Sequence, residues 1–298
     1  MADLSIIIVS YNTAEMTKRC LTTLLTTIST QKNTALEVIV VDNASQDNTP
    51  KVLESIQSEY QKKDILFTAV LNSQNLGYSK ANNKGAAVAR GKYLLFLNSD
   101  VLVEGVKFES LFELMDKDPS IGVMTVKVIL PDGSLDPASH RGFPTLWRSF
   151  SYYSGFEKAF GKLPFLNRVF GGYHLTYKNL KKRHEIDSPT GAFYLTRKEI
   201  FNKVKGFDEH FFMYGEDLDL SLRVKALGYK TIYDPQYAVT HLKYQSGLKS
   251  KDSNTKSKTK EYFYDAMRIF YDKHYSKKTP SFLNRIVYGV INYKAKTS

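Results

Sequence analysis

Short apolar runs alternate with longer amphipathic ones through the first hundred residues. Leu4–Ser10 and Leu36–Asp42 are almost wholly apolar, and the second ends in a carboxylate. Residues 65–71 and 92–97 repeat the pattern. Such runs, rich in Ile, Val and Leu, predict strands buried on both faces. Between them, Ala14–Ile28, 49–60 and 79–90 carry apolar residues at helical spacing. Pro50 falls in the first turn of the second of these, where its N–H is not needed. Alternating strands and helices predict an α/β fold, a Rossmann-like and mostly parallel sheet flanked by helices.

The regularity fades after residue 100. Residues 121–130 read as a strand, closed by the turn Pro131-Asp132-Gly133. Residues 140–185 are aromatic, basic and without period, as expected of a binding loop, a lid or a mobile segment. A strand over 191–196, a helix over 197–203 and an aromatic loop over 206–214 follow. The helix expected over 216–227 turns Leu218, Leu222 and Val224 inward. Residues 249–260 are polar, of low complexity and expected to be flexible. Two helices, over 261–274 and 281–294, end the chain, so a helical C-terminal extension is expected.

Composition narrows the classes. Of 298 residues 42% are hydrophobic, enough for a core and against disorder or a coiled coil. The one cysteine, Cys20, forbids an internal disulfide and a zinc knuckle. The apolar run at residues 6–9 has no basic segment before it and is too short for a signal peptide. No stretch approaches the roughly 18 apolar residues of a membrane span. A cytoplasmic protein is expected, soluble or peripheral on the inner face of the cell membrane. Residues 241–298 hold 13 Lys or Arg against 4 Asp or Glu, most of the formal charge of +12. That asymmetry suits an anionic surface, or serves only to solubilise the chain. Leu283, Val287 and Ile291, and likewise Phe282, Ile286 and Val290, recur at four-residue steps beside Arg285, Lys294 and Lys296. A helix so patterned lies on an anionic leaflet, or packs on the catalytic body or on a second subunit of a homo-oligomer. No nucleic-acid reading module is present, so no nucleic-acid partner is expected.

The polar residues at the strand ends carry the chemistry. Ser10-Tyr11-Asn12, Asp42-Asn43-Ala44-Ser45 and Asn98-Ser99-Asp100 each close a strand and should meet at one sheet edge, where such sheets bind ligands. Each set alone reads equally well as a cap or turn. There is no G-x-G-x-x-G after the first strand, and Gly85 to Gly91-Lys92 has the wrong spacing and setting for a phosphate loop. Asp100 at a strand end suits a hard divalent cation, with His241 as a second ligand or else a core histidine. Glu216, Asp217 and Asp219 open a helix and stabilise it through its dipole. Asp217 is also placed to act as a general base in an aromatic pocket built from Phe211, Phe212 and Tyr214. Asp219 and Arg223 are spaced to pair as a brace.

Ser10-Tyr11-Asn12, Val41 to Ser45, Asn75-Leu76-Gly77-Tyr78 through Asn83-Lys84-Gly85, Leu97 to Asp100, Thr190-Gly191-Ala192 and Gly215 to Asp219 stand in the motif order of glycosyltransferase family 2. The resemblance covers about residues 3–245. Asn98-Ser99-Asp100 and Val239-Thr240-His241 resemble the bacterial rhamnosyltransferase and galactofuranosyltransferase branch. The resemblance implies an inverting enzyme of GT-A fold, with a nucleotide-binding half over about 1–100 and an acceptor-binding half over about 101–245. Residues 246–298 form a basic helical extension. It implies that Ser10, Tyr11 and Asn12 line the nucleobase pocket, that Asp42 reads a pyrimidine N3–H, and that Lys80, Asn83 and Ser99 contact the nucleotide. Asp100 and His241 become ligands of Mn2+ or Mg2+, and Asn98, in place of an Asp, touches ribose or a metal-bound water. Asp217 becomes the catalytic base. Glu216, Gly191 and Ala192 line the donor and acceptor pocket, and Trp147 offers a stacking face to a sugar. The implied reaction moves a sugar, L-rhamnose from dTDP-rhamnose, onto a saccharide or polyprenyl-linked saccharide in bacterial surface polysaccharide synthesis. A UDP-sugar transferase (galactofuranose, galactose, glucose or GlcNAc) and a non-catalytic nucleotide-sugar-binding subunit are the alternatives.

Overall fold

The structure is a computed structural model that describes residues 2–31, 34–243 and 253–297. Strands β1 (Leu4–Ser10), β2 (Leu36–Asp42), β3 (Leu66–Leu71) and β4 (Tyr93–Asn98) alternate with helices α1 (Ala14–Ile28), α2 (Thr49–Gln61) and α3 (Tyr78–Val88). These match the apolar runs almost residue for residue. The four strands are parallel neighbours in the order β3-β2-β1-β4. The chain therefore winds outward from β1 in one direction and then crosses to the other side. That reversal beside β1 is where a crevice opens at the strand ends. Ser10 pairs with Asp42 and Val9 with Asn98, so three motifs stand level at one edge.

The second half continues the sheet in mixed directions. It adds β5 (Val101–Leu102), α4 (Phe108–Lys117), β6 (Ile121–Ile129), α5 (Leu146–Tyr153), α6 (Phe156–Phe160) and α7 (Leu166–Phe170). Then come β7 (His184–Ile186), β8 (Phe193–Arg197), α8 (Lys198–Lys203), α9 (Glu216–Ala226) and β9 (Lys230–His241). The order runs on as β4-β8-β6-β9-β5, with β7 also on β9. The segment 140–185 is thus not a bare loop, since three short helices occupy it. Strand β9 was not expected, and Pro235 explains why. Register jumps between the pairs Val126–Asp234 and Lys127–Ala238, so the proline sits in a bulge where no ladder N–H is required. Beyond it β9 resumes and delivers His241 opposite Val101.

Buried apolar side chains fill both faces of the sheet. One face packs on α1, α2 and α4 through residues such as Leu21, Leu53 and Phe112, the other on α3, α8 and α9 through Ala81, Phe201 and Leu220. A Cβ on Gly85 would lie 2.6 Å from Ile7, so α3 approaches the sheet only because that residue is glycine.

The extension forms α10 (Ser253–His274) and α11 (Ser281–Thr297). Residues 253–260, expected to be flexible, begin α10, while 249–252 lie outside the described residues. Ala266 and Phe270 of α10 pack with Phe143, Phe211 and Leu218, so the extension closes over α9. Among the described residues no helix is long and apolar enough to cross a membrane.

Candidate active site

A cavity of about 1590 Å³ opens at the polar ends of β1 and β4 and runs to α9, α10 and α11. Tyr11, Asn12, Asn98, Ser99, Asp100, Gly191, Glu216, Asp217 and His241 all line it. Residues from positions 11 to 241 therefore meet in one chamber, as the strand ends predict.

At the β1–β2 end, Asn43 is a hub. Its amide donates to Asn75 (2.8 Å), and its carbonyl accepts from Asn72 (3.0 Å) and the Leu76 N–H (3.0 Å). Asp42, beside it, is 3% exposed. One carboxylate oxygen accepts the Ser45 N–H at 3.2 Å, and the other, Oδ1, is buried with no partner. An orphaned buried acceptor is costly unless a ligand donor completes it.

At the centre, His241 is held between two carboxylates. Its Nε2 lies 3.2 Å from Asp100 Oδ1, and its Nδ1 lies 2.8 Å from Asp136 Oδ2. Lys243 Nζ reaches the other Asp136 oxygen at 2.6 Å. Burial works to lower the His241 pKa, but the two carboxylates outweigh it and push it up to about 9. Burial likewise opposes ionisation of Asp136, but His241 and Lys243 hold it well below the usual carboxylate range. Asp136 fixes the ring so that Nε2 and the Asp100 carboxylate converge, the arrangement in which an outer carboxylate orients a metal-binding imidazole. Among the described residues no group of three or more His, Cys, Asp or Glu forms a metal site. Two protein ligands nevertheless fit Mg2+ or Mn2+, which take their remaining ligands from water and substrate phosphates. Asn98, two residues before Asp100, accepts from Tyr78 Oη at 2.9 Å, so its carbonyl is already engaged.

At the far side, Gly215 has φ +77° and turns the chain into α9, which brings Glu216 and Asp217 to the cavity wall. Asp217 Oδ2 pairs with Arg141 Nη2 at 2.7 Å, and Oδ1 accepts the Leu218 N–H at 2.7 Å. Arg141 also donates to the Pro189 carbonyl at 2.8 Å, so the guanidinium is anchored and fixes the carboxylate. Glu216 Oε2 is buried without a partner. Burial first, and the adjacent Asp217 second, push its pKa up to about 8. A carboxyl neutral in the folded chain and ionised in the unfolded one costs stability between the two pKa values. The Glu216 contribution to stability is therefore expected to fall as pH rises from about 4.5 to 8, so Glu216→Gln should gain on the wild type over that range. Urea melts at pH 5 and pH 8 check this, with the variant gaining about 2–4 kcal/mol on the wild type at the higher pH.

The structure places the remaining expected residues elsewhere. Ser10 bonds to Thr13 and Thr17 of the first helical turns and does not line the cavity. Asn83 clamps the 206–209 loop, bonding Phe207 through both its amide and its carbonyl at 2.9 Å. Lys80 lies 3.9 Å from Glu209 on the outer side of α3. Both point away from the cavity because α3 turns that face to the neighbouring loop. Ala192 is buried in the core. Trp147 donates to the Val169 carbonyl at 2.8 Å, half exposed and off the cavity wall. Arg141, Asp136 and Tyr78 were not foreseen, and their partners are 76, 105 and 20 residues away.

Residues 5–218 match the family model described as glycosyl transferase family 2. An N-acetylglucosaminyl-diphospho-decaprenol L-rhamnosyltransferase of Mycobacterium tuberculosis is 27% identical over 257 residues, 82% of this chain and 77% of that one. Rhamnosyltransferase WbbL of Escherichia coli is 26% identical over 231 residues, 68% of this chain and 82% of that one. The solved structure of GalNAc-T7 with UDP, GalNAc and Mn2+ shares the fold with a TM-score of 0.61 at 16% identity. The match covers 97% of this chain and 55% of that one.

Proposed function

The chain belongs to glycosyl transferase family 2 and has the GT-A fold, and from that premise we propose that it transfers L-rhamnose from dTDP-rhamnose to a saccharide or polyprenyl-linked saccharide in bacterial surface polysaccharide synthesis. A UDP-sugar donor is the second reading, because uracil and thymine both present the N3–H that Asp42 would read. The observation that carries the proposal is one chamber holding Asp100, His241 and Asp217; Asp42, with its unpartnered oxygen, does not line it but adjoins Asn43, which does. The sequence relatives named above support the sugar and the acceptor class.

In this reading residues 1–100 bind the nucleotide and 101–245 the acceptor. The Asp42 carboxylate accepts the base N3–H, since an ionised carboxylate can only accept. Asp100 and His241 would hold a divalent cation, which when bound offsets the negative charge growing on the leaving diphosphate. Asp217 takes the proton from the acceptor hydroxyl as that oxygen attacks the anomeric carbon. The bond to the diphosphate breaks on the opposite face, and the anomeric centre inverts. Arg141 holds the Asp217 carboxylate in place at the chamber wall.

Calorimetric titration with dTDP, UDP and GDP, each with and without Mn2+, tests the donor. Binding of dTDP or UDP, at least tenfold tighter with Mn2+, is the expected result. Transfer should vanish in chelator and return with Mn2+ or Mg2+. Full activity in chelator overturns the roles given to Asp100 and His241. Nucleotide binding without transfer to any acceptor in a broad panel would mark a binding subunit instead.

A further inference from the structure

The cavity does not end at Asp217. Its far wing is apolar, walled by Phe150 and Tyr153 of α5, Met267 and Phe270 of α10, and Ile286 and Val290 of α11. Phe150, Tyr153, Ile286 and Val290 also face solvent, at 52%, 37%, 57% and 48% exposure. The wing therefore opens through an apolar rim. The rim is one unit, since Tyr153 touches Met267 Sδ at 3.7 Å and Lys294 Nζ sits 5.7 Å from the centre of its ring.

Helix α11 extends this rim outward. Leu283, Val287 and Ile291 line the cavity, while Phe282, Ile286, Val290 and Tyr293 form an exposed stripe, the outermost two 63% and 66% exposed. A helix apolar on both its inner and outer sides has an unpaired face. At about 100° per residue, Arg285 and Lys296 fall along the edge of that stripe. Residues 241–298 carry 13 basic residues against 4 acidic ones.

We propose that the exposed stripe of α11 and the rim beside it seat the protein on an anionic lipid surface, so that the apolar wing receives the hydrocarbon end of a lipid-linked acceptor from the bilayer. The inference rests on the transferase reading only for the acceptor. Two observations favour lipid over a second copy of the chain. A self-interface would bring two basic flanks of like charge together. It would also cover the opening through which an acceptor must reach Asp217. An anionic leaflet instead complements the basic flank and takes up the apolar stripe.

Flotation of the full chain with vesicles tests this, using phosphatidylcholine alone or with about 30% phosphatidylglycerol, in the absence of donor and acceptor. Binding at least tenfold stronger to the anionic vesicles, weakened by salt, is expected. The double variant Phe282→Glu, Tyr293→Glu should lose at least tenfold in vesicle binding while its thermal melt and nucleotide affinity stay unchanged. Equal binding by variant and wild type, or no binding to anionic vesicles, overturns the proposal. A concentration-dependent dimer that the variant abolishes, with no vesicle binding by either form, makes a second copy the occupant and also overturns it. Vesicle binding without any sugar transfer would leave the lipid seat standing and refute the transferase reading alone.

Discussion

Asp217→Asn is expected to lower the rate of sugar transfer by about 100- to 10,000-fold, the usual contribution of a general base. The replacement keeps the shape of the side chain but can accept at only one of the two positions where Asp217 accepts. Its carbonyl can still accept from the Leu218 N–H or from Arg141, which hold Asp217 at 2.7 Å each. What is lost is the negative charge, one of the two accepted hydrogen bonds and the ability to take a proton. Asn43 and Asn75 line the β1–β2 end of the chamber, away from α9, so the dissociation constant for the nucleotide should change by no more than about twofold. Saturating-donor kinetics with calorimetry on the same preparation separate the two quantities. Wild-type turnover would show that another group accepts the proton. A parallel loss of nucleotide affinity would show that the change disturbed the chamber as a whole.

Arg141 makes this prediction sharper. An acid paired with a buried guanidinium is easily read as a structural strut, and Asp217 would be one if it faced the core. It lines the chamber instead, while Arg141 is pinned from behind by the Pro189 carbonyl. The pair thus resembles an oriented base more than a brace. The brace is two residues further along the same helix, at Asp219.

The contrast between Asp100 and Asp136 shows what a sequence makes legible. Strands β1, β2 and β4 are buried on both faces, so each is written as a nearly unbroken apolar run, and the polar residue that ends the run marks the sheet edge. Asp42 and Asp100 were visible for that reason. Asp136 follows a turn in an irregular stretch, and only the bulged path of β9 brings His241 to it from 105 residues away. Nothing local in either segment encodes the meeting. Arg141 is hidden in the same way, inside an aperiodic aromatic stretch. Lys80 and Asn83 fail for the converse reason. They sit in the right motif at the right spacing, but the face of α3 that carries them packs toward residues 206–209. Local pattern fixes which residues share a helix face. Which way that face turns is decided by packing, here by the close approach of Gly85 to Ile7.

Asp219→Ala is expected to destabilise the fold by about 3–5 kcal/mol, the cost of removing one partner from a buried ionic cluster. Asp219 is fully buried. One of its oxygens accepts from Arg223 at 2.7 Å, the brace its four-residue spacing suggests. The other accepts from Lys273 at 2.7 Å and His274 at 2.8 Å, both at the end of α10. Burial opposes ionisation of this acid, but His274, Arg223 and Lys273 outweigh it and hold its pKa below the usual value. The stability it supplies is therefore present above the unfolded-state pKa of about 3.8 and is lost as pH falls through the lower folded-state value. Urea denaturation should show the full deficit at pH 7 and a shrinking one in acid. A deficit below about 1 kcal/mol at pH 7 would mean that the extension docks through its apolar contacts alone. The functional consequence follows from position. Asp219 is two residues from Asp217, and α10 carries Phe270 and Met267, which wall the apolar wing. Loosening α10 should therefore raise the KM for a lipid-linked acceptor before it affects nucleotide affinity, because Asn43 and Asn75 at the nucleotide end are held by segments that follow β2 and β3.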